Sequence, residues 1–187
     1  LNKTLDLIDL SNKESLSSFI VFKPSAVGRF DLYLKKANND SLNENEKDEW
    51  QRVEQRYDKI CNSAAKNGIS ILIDGEESWI QKPIDELIEK LMIKYNNSSC
   101  IVYNTIQAYK VDRFEYLSGL HKRLSKSNIK IGIKLVRGAY MEKERIRAKS
   151  KNYKSPICET KVKTDENFNK CMSFIFSNIN DFNLFIG

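Results

Sequence analysis

Histidine is almost missing from this chain of 187 residues: His121 stands alone, beside Lys122 and Arg123 in a helical stretch. One imidazole argues against a histidine-based metal or triad site, and its charged neighbours place it at the surface. Cysteine is sparse and scattered. Cys61, Cys100, Cys158 and Cys171 include no Cys-x-x-Cys pair, which argues against a zinc site or a disulfide framework and fits reduced thiols in a cytosol-like compartment. No metal is therefore expected. No apolar run approaches the length of a membrane span, and no Gly-x-Gly-x-x-Gly supports a dinucleotide fold.

Charge of one sign is not gathered anywhere either. The formal net charge is +6, but Lys and Arg are interspersed with acids, without a basic face or a stacking platform, so nucleic acid is not an expected partner. With 41% hydrophobic and 30% charged residues the composition is that of a globular protein. The chain opens on Leu1 rather than Met and closes on the apolar run Phe182-Asn183-Leu184-Phe185-Ile186, which reads as a strand. A single domain, 1–187, cut at both ends, is the expectation.

What is present is a repeated pattern. Residues 19–22 form a short apolar strand ending at Lys23, with Pro24 blocking its continuation. Trp50, Val53, Tyr57, Ile60 and Ala64 recur at helical spacing up to Gly68. A second strand, 69–73, runs into Asp74-Gly75-Glu76-Glu77, and Pro83 suits the first turn of the next helix. A third strand over 100–105 leads to Gln107, followed by a helix through Val111, Phe114, Leu117, Leu120 and Leu124. The fourth strand, 129–136, carries Lys134 and leads to Arg137. Its helix begins near Ala139 with Glu142, Lys143, Glu144, Arg145 and Arg147 as a solvated face. Residues 151–163 read as a loop, and Thr164-Asp165 as the cap of a helix through Phe168, Cys171, Met172, Ile175 and Phe176.

Strands roughly 30 residues apart, each followed by a helix, are βαβ units of a parallel α/β sheet. Periodicity alone leaves a doubly wound sheet and a (β/α)8 barrel open. The polar residues favour the barrel: Lys23, Asp74, Gln107, Lys134 and Arg137 fall at or near the C-terminal ends of four strands, where barrel enzymes assemble their active sites.

Four motifs then carry a resemblance: Phe22-Lys23-Pro24-Ser25-Ala26-Val27-Gly28, Leu72-Ile73-Asp74-Gly75-Glu76-Glu77-Ser78-Trp79, Tyr103-Asn104-Thr105-Ile106-Gln107-Ala108-Tyr109, and Lys134-Leu135-Val136-Arg137-Gly138-Ala139-Tyr140-Met141-Glu142-Lys143-Glu144. In these, and in their order, the chain resembles the proline dehydrogenase family, FAD-dependent enzymes that oxidise L-proline to 1-pyrroline-5-carboxylate in the first step of proline catabolism to glutamate. The resemblance implies a (β/α)8 barrel, incomplete here with about five strands, and FAD lying over the strand ends. It implies that Asp74 and Lys134 are catalytic-site residues, with Asp74 ion-paired to a strand-end lysine and Lys134 offsetting negative charge on the reduced ring. Lys23 would help hold the proline carboxylate, and Tyr140 would pack against the proline ring. Gly75, Gln107, Arg137, Gly138, Ala139 and Met141 would contact FAD.

The resemblance further implies a membrane quinone as electron acceptor, with at most peripheral membrane contact, and a separate 1-pyrroline-5-carboxylate dehydrogenase that takes the product. A bacterial cytoplasmic setting is expected, with mitochondria as the alternative. The chain departs from the family at Gly75, where members usually carry Ala. It also stops before the strand end with Thr-His-Asn, three further strands and a final Arg pair, so these 187 residues alone are expected to be inactive. The competing readings are a Schiff-base aldolase built on Lys134 or Lys23 and an inactive remnant of a flavoenzyme.

Overall fold

The computed structural model describes residues 1–14 and 18–187. Its centre is a parallel sheet of Phe19–Phe22 (β1), Ser70–Ile73 (β2), Val102–Gln107 (β3), Ile131–Val136 (β4) and Phe182–Ile186 (β5), in the order β1-β2-β3-β4-β5. Around it lie Asn2–Glu14 (α1), Phe30–Asn38 (α2), Glu44–Asn67 (α3), Ser78–Tyr95 (α4), Arg113–Leu124 (α5), Met141–Ser150 (α6) and Lys161–Ser177 (α7).

The strand order decides the architecture. Parallel crossovers are right-handed, so strands added always on the same side send every crossover helix to one face, whereas a doubly wound sheet reverses direction and covers both. One face here packs Ile71, Ile73, Ile106, Ile131 and Ile133 against Ile60, Ala64, Ile84, Ile88, Leu117 and Leu120, all of them buried in one core. The alternate strand residues point the other way. Leu72, Tyr103 and Phe185 form a second, smaller cluster. Phe19 of β1 and Phe185 of β5 lie only 5.0 Å apart between ring centroids. In a flat sheet, four strand spacings of about 4.8 Å would keep these edge strands far out of contact. The sheet is therefore curled into a barrel arc.

Buried polar side chains fix the connections. Asn96 is fully buried, donates to the carbonyls of Val102 and Lys130 at 2.9 and 2.8 Å, and accepts from the N–H groups of Ile101 and Val102. It stitches the exit of α4 to the starts of β3 and β4. β3 begins at Val102 rather than at residue 100.

Three other expectations are corrected. Helix α4 begins at Ser78, so Pro83 lies inside it, where it forfeits one backbone hydrogen bond. The early start is held from outside, as the next subsection describes. Helix α7 is capped by Thr160, whose hydroxyl accepts from the Lys163 N–H at 3.2 Å, and Thr164 is buried within the helix. His121 is not a surface residue: it stacks on Phe182, meets Phe174 edge-on and places Nε2 2.7 Å from Asp181. All four cysteines are buried free thiols.

Candidate active site

The register builds the site. Phe22 pairs with Ile73, Ile73 with Asn104, and Asn104 with Ile133, all pointing toward the helices. One residue further on, Lys23, Asp74, Thr105 and Lys134 make a row across four strands on the inner, concave side. Thr105 pairs directly with Lys134, and the Asp74 N–H donates to the Phe22 carbonyl at 2.9 Å. Gln107 stands in the next layer up.

Within that row the Lys134 ammonium donates to Asp74 Oδ1 at 2.6 Å, with both side chains partly buried. Gln107 lies above the pair. Its Nε2 donates to the Glu76 carbonyl at 2.8 Å, and its Oε1 accepts from the Ala139 N–H at 3.4 Å, so one amide joins the loop after β2 to the loop after β4. Gly75 makes room for it: a Cβ there would stand 2.6 Å from Gln107 Nε2.

A second network borders the first. Lys23 Nζ donates to the Tyr140 hydroxyl at 3.2 Å, and that hydroxyl donates to Glu76 Oε2 at 3.3 Å. Glu76 is buried and also accepts from the N–H and hydroxyl of Ser25, at 3.1 and 2.6 Å. The hydrogen bond it donates to Tyr140 holds the Lys23 ammonium above the usual lysine range, with the Glu76 and Asp74 charges adding to it. Burial raises the Tyr140 phenol, and Lys23 opposes that shift. Lys23 and Lys143 flank the Tyr140 ring, 5.6 and 5.4 Å from its centroid.

Glu144 corrects the reading of a wholly solvated α6 face. It is fully buried, and its carboxylate accepts from the Ser78 N–H at 2.6 Å and from the Ser78 hydroxyl at 2.7 Å. The N-terminus of α4 is thus capped by a residue of α6, a contact of the kind worth about 1–2 kcal/mol. It also locks the Asp74 to Glu77 loop against the Gly138 to Tyr140 loop.

Every site residue expected from the sequence except Met141 lines one cleft of about 370 Å³ at the strand ends, together with Thr105 and Val136. Met141 opens α6 with its side chain exposed and does not line the cleft. Arg137 lines the edge, turned toward α7: its Nε lies 2.6 Å from Asp165 and its guanidinium 4.7 Å from the Phe168 ring centroid. Ser25, Glu76, Thr105 and Glu144 were not read as site residues. All four lie inside the motifs quoted above, and that shared location was the available signal. Chemically, the cleft offers paired cations, an amide with both polarities and a floor of Gly75, Gly138 and Ala139, which suits a flat ligand with hydrogen-bonding edges.

Among the described residues no helix is long and apolar enough to cross a membrane, and no group of three or more His, Cys, Asp or Glu side chains is placed to hold a metal.

The profile of the proline dehydrogenase family matches residues 2–187. The carbapenem antibiotics biosynthesis protein CarD of Pectobacterium carotovorum subsp. carotovorum is 30% identical over 175 residues, 94% of this chain and 46% of that protein. Mitochondrial proline dehydrogenase 2 of Arabidopsis thaliana is 37% identical over 162 residues, 86% of this chain and 33% of that protein. Among solved structures, proline utilization A (PutA) from Bdellovibrio bacteriovorus, inactivated by N-propargylglycine, superposes with a TM-score of 0.83 at 19% identity, over 99% of this chain and 20% of that one. The chain thus spans less than half the length of these proteins.

Proposed function

We propose, on the premise that this chain belongs to the proline dehydrogenase family, that its strand-end cleft is part of an active site that oxidises L-proline to 1-pyrroline-5-carboxylate. The observation that carries the reading is the Lys134–Asp74 ion pair, set in one row with Lys23 and directly beneath Gln107. FAD is the cofactor the cleft suits: Gly75, Gly138 and Ala139 line it with little side-chain bulk, and Gln107 and Lys134 present donors beside them. When bound, FAD would supply the two-electron acceptor: it takes the hydride from the proline carbon beside nitrogen, while the amine gives up a proton as the C=N bond forms.

The chain's own residues do the rest. Lys134 holds a fixed positive charge where negative charge develops, and Asp74 keeps that ammonium in place. Lys23, kept protonated by Tyr140, offers a charge-assisted contact to the substrate carboxylate. Tyr140, braced by Lys23 and Glu76, presents its ring as a wall for the pyrrolidine. Met141, exposed at the start of α6, would reach the cofactor only at its margin. In this reading 1–187 is part of a single barrel domain, electrons pass to a quinone at a membrane surface, and a separate dehydrogenase completes the conversion to glutamate.

The aldolase alternative needs a desolvated, neutral lysine. Lys23 is held protonated and Lys134 is tied into its ion pair, so neither offers one.

The test is anaerobic titration of the purified full-length protein with L-proline, followed by visible absorbance. A flavin band that bleaches with proline is the expected result. A colourless protein, or a yellow one that proline leaves unchanged, would overturn the reading. Bleaching by a different cyclic amino acid would move the substrate toward the biosynthetic chemistry named for the CarD relative.

A further inference from the structure

Lys110 is a buried cation that, among the described residues, has no carboxylate in direct contact; Asp112, Asp85 and Glu144 act on it only from further off. It comes three residues after Gln107, the last residue of β3. Its backbone is pinned by an antiparallel bridge to Ile157 and by Asn167 Nδ2, which donates to its carbonyl at 3.0 Å. The residue is 2% exposed, and among the described residues no side chain or carbonyl forms a hydrogen bond or ion pair with its ammonium.

Its charged neighbours are already engaged. Arg113 gives Nη1 to Asp85 at 2.8 Å and Nη2 to Asp112 at 2.7 Å. Asp85 also accepts from Gln81 and Asn104, each at 2.9 Å. Burial, and after it the like charge of Arg113, brings the Lys110 ammonium down to about 8. The side chain faces a cleft of about 700 Å³ between α4 and α5, separate from the strand-end cleft, with Lys82 on its rim and Pro156 closing one side. Lys82 forms no ion pair among the described residues, so a second cation is free at the mouth.

We propose that this α4–α5 cleft is a second ligand site, which takes a small molecule bearing a carboxylate or phosphate group, with Lys110 supplying the counter-charge at its base. The site does not depend on the reading of the strand-end cleft. An anion bound against Lys110 replaces the missing partner of the ammonium and favours its protonated form, so binding and protonation of Lys110 are linked.

The sign follows directly. Below the free-state value Lys110 is already protonated and an anion binds at full strength. As pH rises past about 8 the free site loses its charge, and affinity falls. The charged groups facing the cleft are Lys82, Asp85, Glu86 and Glu89 from α4, and Arg113 and Arg123 from α5, with Asp112 at its start. Glu144 of α6 adds its field. The arginines keep their charge throughout, and burial holds the Tyr116 phenol well above the ordinary range.

Calorimetric titration of the full-length protein with sodium sulfate, and separately with sodium acetate, at matched ionic strength tests this. Both anions keep a constant charge between about pH 6.5 and about pH 9.5, so a pH dependence belongs to the protein. Affinity is expected to be about thirtyfold lower at the higher pH, the fraction of Lys110 still charged there being about one in thirty. Lys110→Met is expected to abolish binding. Lys110→Arg is expected to retain it with the pH dependence gone, and this variant serves if the methionine variant does not fold. Sulfate binding alone would assign a phosphate-bearing ligand, and acetate binding alone a carboxylate. Three results would overturn the proposal: no binding of either anion, wild-type affinity that does not change with pH, or a folded Lys110→Met protein that binds as the wild type does.

Discussion

Alanine at Gly138 is expected to lower proline oxidation by the full-length protein more than about a hundredfold. Gly138 has φ +133°, a conformation that L side chains rarely adopt, and a Cβ there would stand 2.0 Å from Cδ1 of Tyr109 and 2.4 Å from its Cε1. The ring cannot step aside. Tyr109 is 2% exposed, and its backbone is held by the carbonyl of Arg137 at 2.7 Å and by the N–H of Cys158 at 2.7 Å. The segment 137–140 must move instead. That segment delivers the Ala139 N–H to Gln107 and the Tyr140 hydroxyl to Lys23 and Glu76, so both networks of the site are displaced together. Backbone strain of about 1–3 kcal/mol and overpacking of similar size bound the cost. The contrast is Gly68, also at positive φ, where a Cβ would meet nothing within 4 Å. Alanine there is expected to cost about 1 kcal/mol of stability and leave kcat/KM unchanged. Steady-state kinetics and thermal unfolding of the two variants separate these outcomes. Near-wild-type activity of Gly138→Ala would contradict the placement of this loop.

Lys134→Met carries the second large effect, a fall of about a hundred- to a thousandfold in kcat/KM. The substitution keeps a long side chain in the row but removes the one cation of β4 that faces the concave side, and leaves Asp74 without its partner at 2.6 Å. The loss should fall on catalysis more than on folding. The side chains are 16% and 25% exposed, so water still reaches the stranded Asp74 carboxylate, and the melting temperature should fall by less than about 10 °C with the protein still folded. Lys134→Arg, which keeps the charge, should recover most of the activity. A Lys134→Met enzyme within a few fold of wild type would remove Lys134 from the chemistry.

The residues that made the fold legible in the sequence lie on the strands. Apolar runs ending in Lys23, Asp74, Gln107 and Arg137 place four strand ends by sequence alone, and the register brings their polar residues to one side of the sheet. The helices α1 and α2 were not legible, since their few apolar residues, such as Leu5, Leu7, Ile8 and Leu10 in α1, are interspersed with charge. Cap chemistry misled at Pro83 and Thr164. In both cases the helix begins earlier, and at α4 the reason is a tertiary contact, Glu144 to Ser78, which no local pattern records.

The same limit applies to the site. Asp74, Lys134 and Gln107 announce themselves by their positions at strand ends, whereas Glu144 and Lys110 read as ordinary charges on helical or loop segments. Their burial, complete for Glu144 and all but 2% for Lys110, follows from how α4, α5 and α6 pack over the sheet. Sequence also placed His121 at the surface, because its charged neighbours outweigh the aromatic contacts that come from Phe174 and Phe182 far along the chain.

The decisive measurement is a crystal structure of the full-length protein grown in the presence of FAD. A flavin ring is expected over the strand ends, with its polar edge within hydrogen-bonding distance of Gln107 and Lys134 and its plane against Gly75, Gly138 and Ala139. A flavin held elsewhere, or a strand-end cleft filled by protein side chains, would contradict it.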